Sequence, residues 1–91
     1  ALFLHKLKLN RSTMMEQIRK ISHEQVVMAF VATCIETTAR HLNIAYSEVF
    51  NRMERVGMID GYIVANYDTL HSESRDVLAE RLAECLRNWE D

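Results

Sequence analysis

The stretch Val26–Leu42, VVMAFVATCIETTARHL, constrains the fold of this chain more than any other. Val27, Phe30, Val31, Cys34, Ile35, Thr38 and Leu42 recur at the three- and four-residue spacing of a helix that turns one face to a core. Val26, Met28 and Ala39 broaden that stripe, so the helix should be covered from more than one side. Proline is absent and the only glycines are Gly57 and Gly61, which leaves few strand-ending turns but suits helices. With 91 residues the chain makes one domain with a modest core. The reading is therefore an all-α fold, a compact bundle in which shorter helices fold back over one long one.

Four principal helices are predicted, over about residues 23–42, 47–56, 60–67 and 74–89. Ser22 with Gln25 forms a capping-box spacing ahead of the apolar run, and Ser22 is taken as the start of the main helix. Thr13 with Glu16 repeats that signature, which implies a lead-in helix over 14–20 or one long bent helix. Asn43 and Gly57 are natural left-handed stops. Val49, Phe50, Met53 and Val56 should face inward from the second helix, with Glu48 and Arg52 paired outside. Asp60 can cap the third, and Ser72 or Ser74 starts the last, whose stripe is Leu78, Leu82, Cys85, Leu86 and Trp89. Arg81 and Arg87 are placed to offset the repulsion between Glu80 and Glu84, and Glu36 with Arg40 to pair on the outer face of the main helix.

Apolar and basic side chains alternate through His5 to Leu9, and residues 1–13 precede Met14-Met15, so they are read as an N-terminal extension, either non-native or a basic arm, ahead of a single helical domain over 14–91. The charge is divided unevenly. Lys6, Lys8, Arg11, Arg19 and Lys20 against Glu16 give residues 1–20 a balance of +4, whereas six arginines and twelve acids give residues 21–91 a balance of −6. An acidic body repels phosphates, so nucleic acid is a poor partner and another protein, or a second copy of the chain, a better one. No apolar run approaches the ~20 residues needed to cross a bilayer. Cys34 and Cys85 lie far apart on apolar stripes, which reads as two reduced, buried thiols of a cytoplasmic protein.

Chemistry-bearing patterns are sparse. His5, His23, His41 and His71 show no metal-ligand spacing, and no glycine-rich loop is present for a phosphate or cofactor, so neither metal nor cofactor is expected. Phe30, Val31 and Ile35 around Cys34 argue for an inert thiol with a raised pKa. The sharpest polar group is Tyr67, Asp68 and His71. It could serve acid–base chemistry, but it fits a structural lock better, with Asp68 accepting backbone N–H bonds at the corner and His71 donating to a carboxylate or carbonyl, Glu36 being the candidate. Contact with a partner is the second use of these residues. A helix-turn-helix across 47–56 and 60–67 is the alternative reading, weakened because residues 60–68 carry two acids and no base.

The runs Phe30-Val31-Ala32-Thr33-Cys34-Ile35-Glu36, Glu48-Val49-Phe50, Gly57 and Tyr67-Asp68-Thr69-Leu70-His71-Ser72 resemble a family of small bacterial proteins, the domain of unknown function 3791, over about residues 26–86. Tyr67-Asp68-x-Leu70-His71 is the most specific part. Ala45 departs from the pattern, where a small polar cap would be expected, and the first twenty residues lie outside it. The resemblance brings no catalytic residues. Members look like companions of ADP-ribosyltransferase-like proteins, which implies a noncatalytic helical interaction module that binds, or neutralises, such a partner.

Overall fold

A computed structural model describes residues 11–91, with side chains from His23 onward. The described chain is all-α and contains no strand. Helix α1 (Arg11–Leu42) is followed by α2 (Tyr46–Arg55), a six-residue π-helical turn (Ile59–Val64), the four-residue α3 (Tyr67–Leu70) and α4 (Arg75–Glu90). The arm or extension expected over 1–13 lies outside the described residues except for Arg11, Ser12 and Thr13, which already belong to α1.

The main helix does not start at Ser22, as the capping box suggested, but runs straight through it. Residues 14–25 contain no glycine or proline and are rich in Met, Glu, Gln, Arg and Lys, so nothing there breaks a helix, and a capping spacing inside a continuous helix has no free N–H groups to satisfy. The packed part of α1 is the expected stripe. Val31, Cys34, Ile35, Thr38 and Ala39 are buried, while Val27, Phe30 and Leu42 are half-buried. Among the described residues Thr38 is the one buried polar residue, and its hydroxyl donates to the Cys34 carbonyl oxygen at 2.7 Å, one turn back, so it costs the core nothing unsatisfied.

Asn43 ends α1 at φ 57° as expected. Asn43 N–H donates to the Arg40 carbonyl at 3.2 Å and Ile44 N–H to that of Ala39 at 3.1 Å, the paired bonds of a Schellman ending. Ala45 then caps α2 with extended backbone (φ −68°, ψ 145°) and no side-chain bond. Its carbonyl accepts from Glu48 and Val49 N–H instead, so the departure from a polar cap leaves the second helix in place. Val49 and Met53 are fully buried, Val56 is half-buried and Phe50 lies on the exposed flank. Gly57 takes φ 71°, the left-handed position for which glycine is suited, and its N–H bonds the Glu54 carbonyl at 3.0 Å.

The helix expected over 60–67 is the main correction. Asp60 does not cap it: the π-helical turn begins at Ile59, with Met58 before it, and Asp60 lies exposed within the turn. Ile59, Ile63 and Val64 are β-branched and Gly61 has no side chain, so the α-helical preference here is weak and packing decides. Met58 and Ile63 are fully buried, and Gly61 lies under the Trp89 ring, where a Cβ would come within 3.3 Å of the indole. Asn66 closes the turn by donating both its backbone N–H (3.0 Å) and its side-chain amide (2.8 Å) to the Tyr62 carbonyl. Residues Asp68 to Leu70, which fall between the predicted third and last helices, then form α3 together with Tyr67. The paired α-helices of a helix-turn-helix are accordingly not formed across 47–67.

Ser74 starts α4 and accepts from Val77 N–H at 3.4 Å. Leu78, Leu82, Cys85 and Leu86 are buried as the stripe required, joined by Ala79 and Ala83, while Trp89 is 42% exposed. The tertiary ion pairs differ from the local ones expected. Arg52 reaches Glu90 rather than Glu48, donating from Nε and Nη2 at 2.8 and 2.6 Å, and ties α2 to the end of α4. Arg81 pairs with Glu73 at 3.3 Å rather than with Glu84. A fork-shaped guanidinium gains more from two parallel bonds to one carboxylate than from a single flexible i,i+4 contact.

The hydrogen bonds from Arg52 hold the Glu90 carboxyl below the usual carboxylate range, and Glu90 in turn raises the Arg52 guanidinium. The stabilisation is thus fully present above the ordinary carboxylate pKa and is lost as pH falls through the lowered value in the folded protein. Denaturation of the wild type and Glu90→Gln should differ by up to about 1 kcal/mol at pH 7, and the difference should shrink towards zero in strong acid.

Candidate functional site

The residues singled out by sequence fall into two separate places. Tyr67 and His71 come together on α3 and the turn after it, packed on α1 through Phe30. Phe30 meets Tyr67 edge to face at 5.3 Å between ring centroids, with planes at 86°. Tyr67 in turn stacks on His71 at 4.6 Å with planes only 5° apart. The i,i+4 spacing of a single helical turn puts the two rings on one face.

His71 Nδ1 lies 2.8 Å from the Tyr67 carbonyl oxygen. A carbonyl only accepts, so Nδ1 carries the proton and donates, and in the neutral ring Nε2 is the basic nitrogen. Ser72 reinforces the corner, its hydroxyl donating to the Thr69 carbonyl at 3.0 Å. Leu70, between these polar residues, is fully buried and anchors the turn to the core.

The contacts at this corner differ from those the spacing suggested. Glu36 does not receive His71: its carboxylate pairs with Arg40 at 2.8 Å on the outer face of α1, the i,i+4 pair that the spacing predicted. Glu36 is six residues from Phe30, about 9 Å along the axis and a third of a turn around it, so the two serve different faces. The partner on α1 is Phe30, a contact the sequence did not reveal because an aromatic on an apolar stripe reads as ordinary core. Asp68 is exposed on the first turn of α3, and no hydrogen bond from its side chain holds the corner among the described residues. An acid in that position still opposes the positive end of a helix.

The second place is an open groove of about 720 Å³ between α1 and the start of α4. Glu36, Arg40 and His41 wall one side and Arg75, Asp76 and Glu80 the other, over a floor that includes Ala79. Both signs of charge line it, and apart from the Glu36–Arg40 pair they face solvent. No such groove could be inferred from the sequence, because Arg75 and Asp76 lie more than thirty residues from Arg40.

The cysteines sit in the core rather than in either place. Both are free thiols. Burial pushes the Cys34 thiol up to about 12 and raises that of Cys85 as well. A thiol so protonated is a poor nucleophile.

Two outcomes follow. Tyr67→Ala removes the ring between Phe30 and His71 and should cost about 2 kcal/mol in chemical denaturation, whereas His71→Ala, on the exposed side of the stack, should cost under about 1 kcal/mol. Native protein should react with a thiol-specific disulfide reagent far more slowly than protein unfolded in urea, with both thiols released together on unfolding.

No curated protein and no solved structure matches the chain. Residues 29–89, which span the packed half of α1, the Phe30–Tyr67–His71 stack, both walls of the groove and nearly all of α4, match the family described as protein of unknown function DUF3791, and the chain belongs to that family.

Proposed function

We propose that this chain is a noncatalytic interaction module of the bacterial cytosol that binds another protein through the face formed by α1 and α4. The observation that carries this reading is the groove walled by Glu36, Arg40, His41, Arg75, Asp76 and Glu80. Its walls are open, charged in both senses and mounted on the two longest helices, which pack directly on each other. Such a rigid, mixed-charge edge suits a protein surface, where charge complementarity sets partner choice and association rate. The acidic balance of −6 over residues 21–91 adds long-range attraction for a basic partner. Two buried, unbridged thiols support a reducing compartment. The family resemblance directs the choice of partner to a co-encoded ADP-ribosyltransferase-like protein, which the module would bind or neutralise.

Co-expression of the two proteins followed by affinity purification and calorimetry tests this. A defined complex is expected, and the double charge reversal Glu36→Lys with Glu80→Lys should weaken it at least tenfold while the helical content stays unchanged. Absence of a complex with the co-encoded protein would remove the reading, and a complex indifferent to the double variant would remove the groove from it.

A further inference from the structure

Every described residue lining the charged groove belongs to α1 or α4. Its deepest residues are small: Ala79 is buried and Thr33 and Thr37 are half-buried, whereas the charged side chains and His41 are exposed at the rims. From Thr33 to His41 the α1 wall runs about 12 Å along the helix axis, a little over two turns. A furrow between two packed helices, small inside and charged at its rims, is the shape that the ridge of a third helix fills. The charges on the α4 rim are unspent. Among the described residues Arg75, Asp76 and Glu80 make no ion pair, and Arg81, next to Glu80, is engaged by Glu73 at 3.3 Å. Asp76 and Glu80 stand one turn apart, an arrangement whose repulsion weakens a helix unless bases lie opposite. On the other rim Glu36 pairs with Arg40, but both side chains are more than half exposed, so that pair is weak and open to exchange.

We infer that the partner lays an α-helix in this groove, presenting two basic side chains one turn apart to Asp76 and Glu80 and small residues to Thr33, Thr37 and Ala79. This rests on the partner-binding reading of the same face and names the element that the face takes. A strand finds no open backbone edge here, because both walls are helices whose backbone groups are already bonded. A nucleic acid meets the carboxylates of Glu36, Asp76 and Glu80. A second copy of the chain is a poor donor of the helix. Among the residues with described side chains, Arg52 and Arg55 are the one pair of bases three or four residues apart, and Arg52 is already held by Glu90. Charge complementarity therefore favours a basic helix of a different protein.

Hydrogen exchange of the co-encoded protein, free and in complex with the full chain, tests the inference. Protection is expected in one helical segment of at least two turns that carries two Lys or Arg three or four residues apart. Changing those two bases to Glu should weaken the complex at least tenfold, and Asp76→Lys with Glu80→Lys should restore binding to the changed partner. The same reversal on α2, Glu48→Lys with Glu54→Lys, should not restore it. All four side chains are exposed, so circular dichroism of each variant should match the wild type. If Asp76→Lys disturbs the start of α4, Glu80→Lys against a single changed base carries the same test. Protection confined to a strand or loop, or a failure of Asp76→Lys with Glu80→Lys to restore binding, overturns the helix and leaves the partner face standing. No complex, or one indifferent to Glu36→Lys with Glu80→Lys, removes the partner face and this inference together. Self-association of the chain alone that Glu80→Lys abolishes would give the groove to a second copy and overturn the inference as well.

Discussion

The structure depends on one helix-to-helix contact, that of α1 with α4. Val31, Cys34, Ile35 and Thr38 on one helix and Leu78, Leu82, Cys85 and Leu86 on the other are nearly or fully removed from water. At roughly 1.5–3 kcal/mol for each large apolar side chain buried, this seam outweighs every surface ion pair in the molecule. The remaining elements are fitted around it: Val49 and Met53 of α2, Met58 and Ile63 of the π-helical turn, and Leu70 of α3 all enter the same core. In a chain this short, few residues are left over for a second core.

That economy explains the irregular middle of the chain. Between Gly57 and Ser74 the backbone must place Met58, Ile63 and Leu70 inward while passing under Trp89. A regular α-helix over 60–67 does not do this. The wider π-helical turn closed by Asn66 does, and it delivers Tyr67 to Phe30. The aromatic stack is thus a consequence of how the core is filled, and His71 Nδ1 within it is spent on a backbone contact of the corner.

The charged groove is a product of tertiary packing. It lies between α1 and the start of α4, with Glu36 and Arg40 on one rim and Arg75, Asp76 and Glu80 on the other.

By itself the sequence determined the all-α class, the core stripes of the first and last helices, the left-handed stops at Asn43 and Gly57, the Glu36–Arg40 pair and the inert setting of the cysteines. Each follows from local periodicity, local backbone preference or neighbours one turn away, which a single chain displays openly. Tertiary structure alone decided the rest. Arg52 left Glu48 for Glu90, Arg81 left Glu84 for Glu73, and Glu36 yielded the Tyr67–His71 corner to Phe30. In each case several partners lie within reach of one flexible or aromatic side chain, and the choice between them is made by distances across helices that sequence spacing does not contain. The uninterrupted run of α1 through Ser22 and the π-helical turn at Ile59–Val64 belong with these. A capping box matters only where a helix has an end, and a β-branched segment with weak local preference takes the shape that buries its side chains.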